Sequence, residues 1–210
     1  MDFGIDEKVE ATRGGQFKGG IHKAFLLEVS VDTKTSKKDE STYKVLSFKF
    51  SDPDNTRKFE HVEWVPKSDD PAKAQKALEA FNKRVKHIYE TYAKFPAGKV
   101  GGEAKSWEEY FEAIAKIFNE GAGGKPVHRT DKGGLIMVWV KLTFNNTDNL
   151  GFPYSPNFID LVKVDKDTTL LIDKRYDRVE QAGSNSGSNA GGGHNDIITH
   201  NAADVDEFFK

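Results

Sequence analysis

Tyr43, Lys44 and Lys49 place a phenol ring and two ammonium groups close together, and Lys34, Lys37 and Lys38 lie just upstream. His61 and Trp64 follow. Trp139 and Lys141 repeat the pairing of ring and ammonium later in the chain, with Tyr154 beyond them. Interleaved rings and lysines suit a polyanion that carries flat bases. A base stacking on a ring gains about 1–3 kcal/mol, while the ammonium meets phosphate. Singly, each lysine reads as part of a solvated face, and each tryptophan as readily packs under a loop or against a helix. The grouping carries the reading.

The far end of the chain offers a second chemistry. Residues 183–193, GSNSGSNAGGG, have the composition of a flexible linker that cannot bury enough apolar surface to fold. The tip that follows sets Asp204, Asp206 and Glu207 beside Phe208 and Phe209. Exposed phenylalanines are costly in water. Burying one in a partner's pocket recovers about 1.5–3 kcal/mol, while the acids meet a basic rim. The bland alternative is a tail with no role. A flexible chain of ~20 residues spans roughly 25 Å, enough for the tip to visit a basic groove on its own domain as well.

Enzyme chemistry finds little support. The six histidines (His22, His61, His87, His128, His194 and His200) show no HExxH spacing, and there is no cysteine to ligate a metal. GAGGK at 121–125 lacks the spacing and the preceding strand of a phosphate loop. No GxSxG stands out. Asp69 and Asp70 sit at a helix start, where capping explains them. The expectation is a binding protein with no cofactor, no metal and no catalysis.

Charge is distributed unevenly behind these residues. The formal net charge is −2 over 210 residues. Residues 183–210 carry four acids against one lysine, −3, whereas residues 13–105 hold 19 basic and 13 acidic groups, +6. Acid gathers at the tip and base in the body. Hydrophobic residues at 37%, charged residues at 30% and 19 glycines leave part of the chain solvated. The absence of cysteine fits a reducing compartment. MDFGIDEKVE has neither the basic start nor the apolar core of a secretory signal, and no apolar run approaches bilayer length. A cytoplasmic chain with no membrane partner is expected.

The elements that must position the candidate residues follow from periodicity. Residues 1–20 are polar and glycine-rich and read as an arm. In 21–31, Ile21, Phe25, Leu27, Val29 and Val31 share one parity, the period of a half-buried strand. In 43–50, Leu46, Phe48 and Phe50 share another. SDPDN at 51–55 is a turn signal, and 57–65 reads as a third strand. Helical spacing occupies 71–93, with cap candidates among Ser68, Asp69 and Asp70, and again 106–119, where Ser106 and Glu109 make a capping box. Strand character returns at 135–144 and 157–164. Residues 168–179 fit either a last strand or a helix.

Three strands, a helical segment at about 68–121 and two further strands match the order of an OB-like barrel. The expected fold is therefore mainly β, a barrel spanning 21–182, followed by a linker and tip at 183–210. GIHKAFLLEVSV and STYKVLSFKFSDPDNTRKFEHVEW, then the helices, GGKPV and YSPNFIDLV, together resemble phage-type OB-fold single-stranded DNA-binding proteins over residues 15–165. The tip is similar to those of bacterial and phage members, with two departures: Lys210 ends the chain, and Phe208 stands where Pro is usual. The resemblance implies a protein that coats and protects exposed single strands during phage DNA replication, recombination and repair in the host cytoplasm. It would recruit replication or recombination proteins through its tip. Two rivals stay open, a β-rich virion structural or assembly protein and an enzyme with an unrecognised site. A homo-oligomer is compatible with all three.

Overall fold

The computed structural model describes residues 15–36, 40–65, 70–94, 104–121, 123–145, 149–153, 155 and 157–180. Among them the order is β1 (Gly15–Gln16), β2 (Gly20–Thr35), β3 (Thr42–Ser51), β4 (Arg57–Glu63), α1 (Pro71–Tyr92), α2 (Trp107–Glu120), β5 (Met137–Phe144), β6 (Leu150–Gly151) and β7 (Ile159–Leu161). The strands form one sheet in the order β1-β4-β3-β2-β5-β6, with β7 also paired to β5. All pairings are antiparallel except β1 with β4. The sheet curls until Phe152, just after β6, meets the rings of Phe50, Phe59 and His61. The result is a nearly closed, OB-like barrel with the helices inserted between β4 and β5, as expected.

Alternation explains most of the interior. Leu46, Phe48 and Phe50 of β3 point inward with Phe59 and His61 of β4, and Val138, Val140 and Leu142 of β5 complete that wall. The helices plug the barrel with aromatic residues, Phe81 from α1 and Phe111 and Phe118 from α2. Both helices start where the caps place them. The Asp70 side chain accepts from the amides of Ala72 and Lys73, and Ser106 Oγ accepts from the Glu109 amide at 3.1 Å. The Glu109 carboxylate reaches one residue further back than a capping box requires, accepting from Lys105 N at 2.7 Å.

Three features depart from the sequence reading. First, the register of β2 against β3 shifts between Leu26 and Glu28. Such a bulge flips the side-chain parity. Before it Ala24 and Leu26 face inward, and after it Val29 does, so Phe25 and Leu27 are not on the core side. His128, buried and hydrogen-bonded to the Leu27 backbone, secures the irregular residue. Secondly, the expected arm ends earlier than residue 20, because Gly15–Gln16 pair with Arg57 and Lys58 and Phe17 is buried in the core. Thirdly, residues 168–179 form neither strand nor helix. They make an irregular strap in which Phe144 N donates to Arg178 O at 2.7 Å. Val179 lies so close to Gly19 that a Cβ there would stand 2.2 Å from its carbonyl oxygen, which only glycine avoids.

Candidate nucleic-acid interface

Antiparallel pairing fixes which side chains share the outer wall of β2, β3 and β4. Lys34 opposes Tyr43, Asp32 opposes Val45, Ser30 opposes Ser47 and Glu28 opposes Lys49. Across the other edge of β3, Ser47 opposes Val62 and Lys49 opposes Glu60. One step past the end of β4, Trp64 is 42% exposed and meets the Tyr43 ring edge-on at 6.2 Å between centroids. The aromatic pair stands at one end of this wall.

The lysines on the wall are held by carboxylates. Lys34 Nζ lies 2.7 Å from Glu60 Oε2, bridging β2 to β4 over the outside of β3. Lys49 Nζ lies 3.2 Å from Glu28 and 3.3 Å from Asp32. Beneath these arching side chains Val45 and Ser47 are fully buried. Burial opposes ionisation of Asp32, but its contacts with Lys49 and Ser30, and the lysine charge, prevail and hold its pKa below the ordinary value. Burial likewise works against Lys49⁺, yet Glu28 and Asp32 raise its pKa.

Lys34, Tyr43, Lys49 and Trp64 thus share the outer wall, with Tyr43 and Trp64 at one end and Lys49 towards the other. Others do not. Lys44 has the opposite parity from Tyr43 and turns to α2, where its Nζ meets Glu108 at 2.9 Å. His61 is buried in the interior, its Nε2 3.0 Å from Glu63 Oε1 and its ring 4.6 Å from Phe152. Glu63 also receives Arg84 of α1 through two bonds of 2.6 and 2.7 Å. Burial would raise its carboxyl, but Arg84 and His61 lower it to about 2. Lys141 has the parity expected of it, yet it is buried: the strap crosses over it, and its Nζ donates to Leu171 O and to Asp177 Oδ2 at 2.9 Å. Lys44, His61 and Lys141 therefore have no place on the outer wall. Lys37, Lys38, Tyr154 and the tip residues Asp204, Asp206, Glu207, Phe208 and Phe209 lie outside the described residues.

Trp139 is half-buried on the outside of β5, between Lys23 on β2 and Asp160 on β7. Its neighbouring ammonium is Lys23, not Lys141. Lys23 Nζ sits 5.0 Å from the ring centroid and already occupies a face of the indole. Sequence reading missed this lysine because the β2–β5 register that sets Lys23 beside Trp139 is a long-range fact. It also missed Lys58, exposed on the outside of β4 and in no ion pair among the described residues. Lys58 and Glu60 share the parity of Trp64, so a signal for both existed.

Among the described residues no group of three or more His, Asp and Glu is placed to hold a metal, and no helix is long and apolar enough to cross a membrane. No protein-family model and no curated protein matches the chain.

Proposed function

We propose that the chain binds single-stranded DNA along the outer wall of β3 and β4, coating and protecting exposed strands during phage DNA replication, recombination and repair without catalysing a reaction. One observation carries this reading: the solvent-facing Tyr43–Trp64 pair, with Lys34 registered opposite Tyr43 and with Lys49 and Lys58 further along the same wall of an OB-like barrel. Barrels of this kind take oligonucleotides across the second and third strands of the fold, here β3 and β4. Unstacked bases would lie against the rings, with little choice among sequences. The tip, with Phe208 and Phe209 as anchors and Asp204, Asp206 and Glu207 as its charge, would recruit a replication or recombination partner in the host cytoplasm.

The test is anisotropy of a labelled oligo(dT) titrated with protein at rising salt, then competed with unlabelled strands. Binding that weakens steeply with salt and is competed by single strands but not duplex supports the reading. Equal competition by duplex overturns it. Deleting 196–210 should tighten oligo(dT) binding modestly, most at low salt, and remove the partner from a pull-down, whereas Phe208→Ala with Phe209→Ala should remove the partner alone. A second reading, a virion structural or assembly protein, draws on the pairing of Lys34, Lys44 and Lys49 with carboxylates, since a neutralised face packs well against protein. Absence of any oligo(dT) binding would favour it.

A further inference from the structure

The outer wall carries more carboxylate than an anion-binding face needs. Lys49 is shared by two carboxylates, Glu28 and Asp32, and Lys34 is engaged by Glu60. Those two lysines and three acids sum to −1, and Lys58 brings the wall only to zero. A phosphate approaching this face meets ammonium groups whose donors are already turned to oxygen anions. Glu60 stands on β4, and Glu28 and Asp32 on β2 beside β3, each at the distance from an ammonium that a phosphate oxygen would take.

Resting on the single-strand reading above, we propose that Glu28, Asp32 and Glu60 are built-in competitors for phosphate, which hold Lys34 across β3 and Lys49 towards β2 and yield them when a strand binds. The pairs suit displacement. Their side chains are 29–55% exposed, and ion pairs in that setting are worth only about 0–1 kcal/mol. A single strand engages several lysines at once and releases counterions as it does so, an advantage that no one carboxylate matches. The acids exact two consequences. Affinity is lower than the lysines alone would give. The salt dependence is also shallower, because each freed carboxylate stays beside the phosphates, and salt screens this repulsion as well as the attraction.

The experiment uses the full chain and the oligo(dT) probe. Glu60→Gln, Asp32→Asn and Glu28→Gln are measured singly and together over a salt series. Glu90→Gln and Glu120→Gln serve as controls of identical charge change, since both residues lie on helices in pairs with Lys86 and Lys116. Thermal melting confirms that each variant is folded. Tighter binding at low salt by the wall variants alone, with a log–log salt slope steeper by about 0.7 for each additional phosphate neutralised, is expected. If the wild type binds and the wall variants match it in affinity and slope, the competitor role is overturned while the single-strand reading stands. Equal tightening by the helix controls overturns it too, because total charge would then be the cause. No binding by any version overturns both readings.

Discussion

Glu63 and Glu60 lie on the same strand three residues apart, each bound to a cation, and they do opposite work. Glu63 points into the barrel, where Arg84 grips both its oxygens and His61 adds a third contact. Glu60 points out, holding one lysine from two strands away. The chemistry is the same and the surroundings differ. A buried carboxylate has lost its water, so its partners are obligatory and they lock α1 to β4. An exposed one keeps water as an alternative, so its partner is exchangeable. Parity on one strand therefore separates an ion pair that fixes the fold from one that a ligand can open.

The largest effect is expected from breaking the inner pair. Glu63→Ala takes from the largely buried Arg84 the carboxylate that holds it through two bonds, and removing one partner of such a pair costs about 3–5 kcal/mol. Urea denaturation should show the midpoint falling with an unchanged m value. A loss under 1 kcal/mol would mean that Arg84 finds water, and that the two ends of the comparison are alike.

Acid should attack the interior in two stages. Burial and the Arg129 charge lower the His128 pKa from 6.5 to about 4, although its bond to Leu27 works against them. The unfolded chain then binds a proton that the folded chain refuses, so stability falls as pH drops from 6.5 to about 4. At one pKa unit per 1.36 kcal/mol the loss is on the order of 3 kcal/mol. Glu63 acts lower: its contribution is intact above 4.5 and disappears as pH falls towards about 2. Melting temperatures recorded across this range should show the upper limb vanish in His128→Asn and the lower one in Glu63→Gln. An unchanged profile in His128→Asn would mean that another group titrates there.

Which of these groups could be read from the sequence follows from how far each depends on pairing. Leu46, Phe48 and Phe50, the Asp70 and Ser106 caps, and the order of the five longer strands around the helices are local facts, and the structure has them as expected, with the two-residue strands β1 and β6 in addition. Tyr43 and Trp64 were legible as a group because each ends or begins a strand flanking one turn. His61 misleads because an imidazole suits surface chemistry, whereas the parity it shares with Phe59 puts it inside. Lys141 misled for a different reason. Its parity was right, but an irregular strap about 30 residues on covers it, and Asp177 in that strap carries no periodic signal. The bulge at Leu26 and Glu28 was hidden because one inserted residue leaves the polarity pattern ambiguous while reversing the face.

On the outer wall the aromatic pair should matter more than the second tryptophan. Trp64→Ala is expected to weaken oligo(dT) binding by about 1–3 kcal/mol with little change in melting temperature. Trp139→Ala should cost less, since Lys23 already occupies a face of that indole. The reverse order would move the strand's path from β3 and β4 to β5.

The smallest effect belongs to the outer ion pair itself, and it closes the comparison with Glu63. Lys34 and Glu60 are joined at 2.7 Å, the length of the longer Arg84 contact, yet their side chains remain 36% and 32% exposed. Distance alone would rank the two pairs as equals. Exposure ranks them far apart, because a surface pair trades contacts with water for a contact with its partner and gives up side-chain freedom in the trade. A double-mutant cycle on folding, with Lys34→Met, Glu60→Gln and both together, should give a coupling of about 0.2–1 kcal/mol that fades as salt is added. Lys34→Met sheds the charge but keeps much of the apolar stem over Val45 and Ser47, so the cycle isolates the charge interaction from the cover it provides. A coupling of about 3 kcal/mol that salt does not touch would make the outer pair structural like the inner one. Lys34 would then not be free to leave Glu60 for a phosphate.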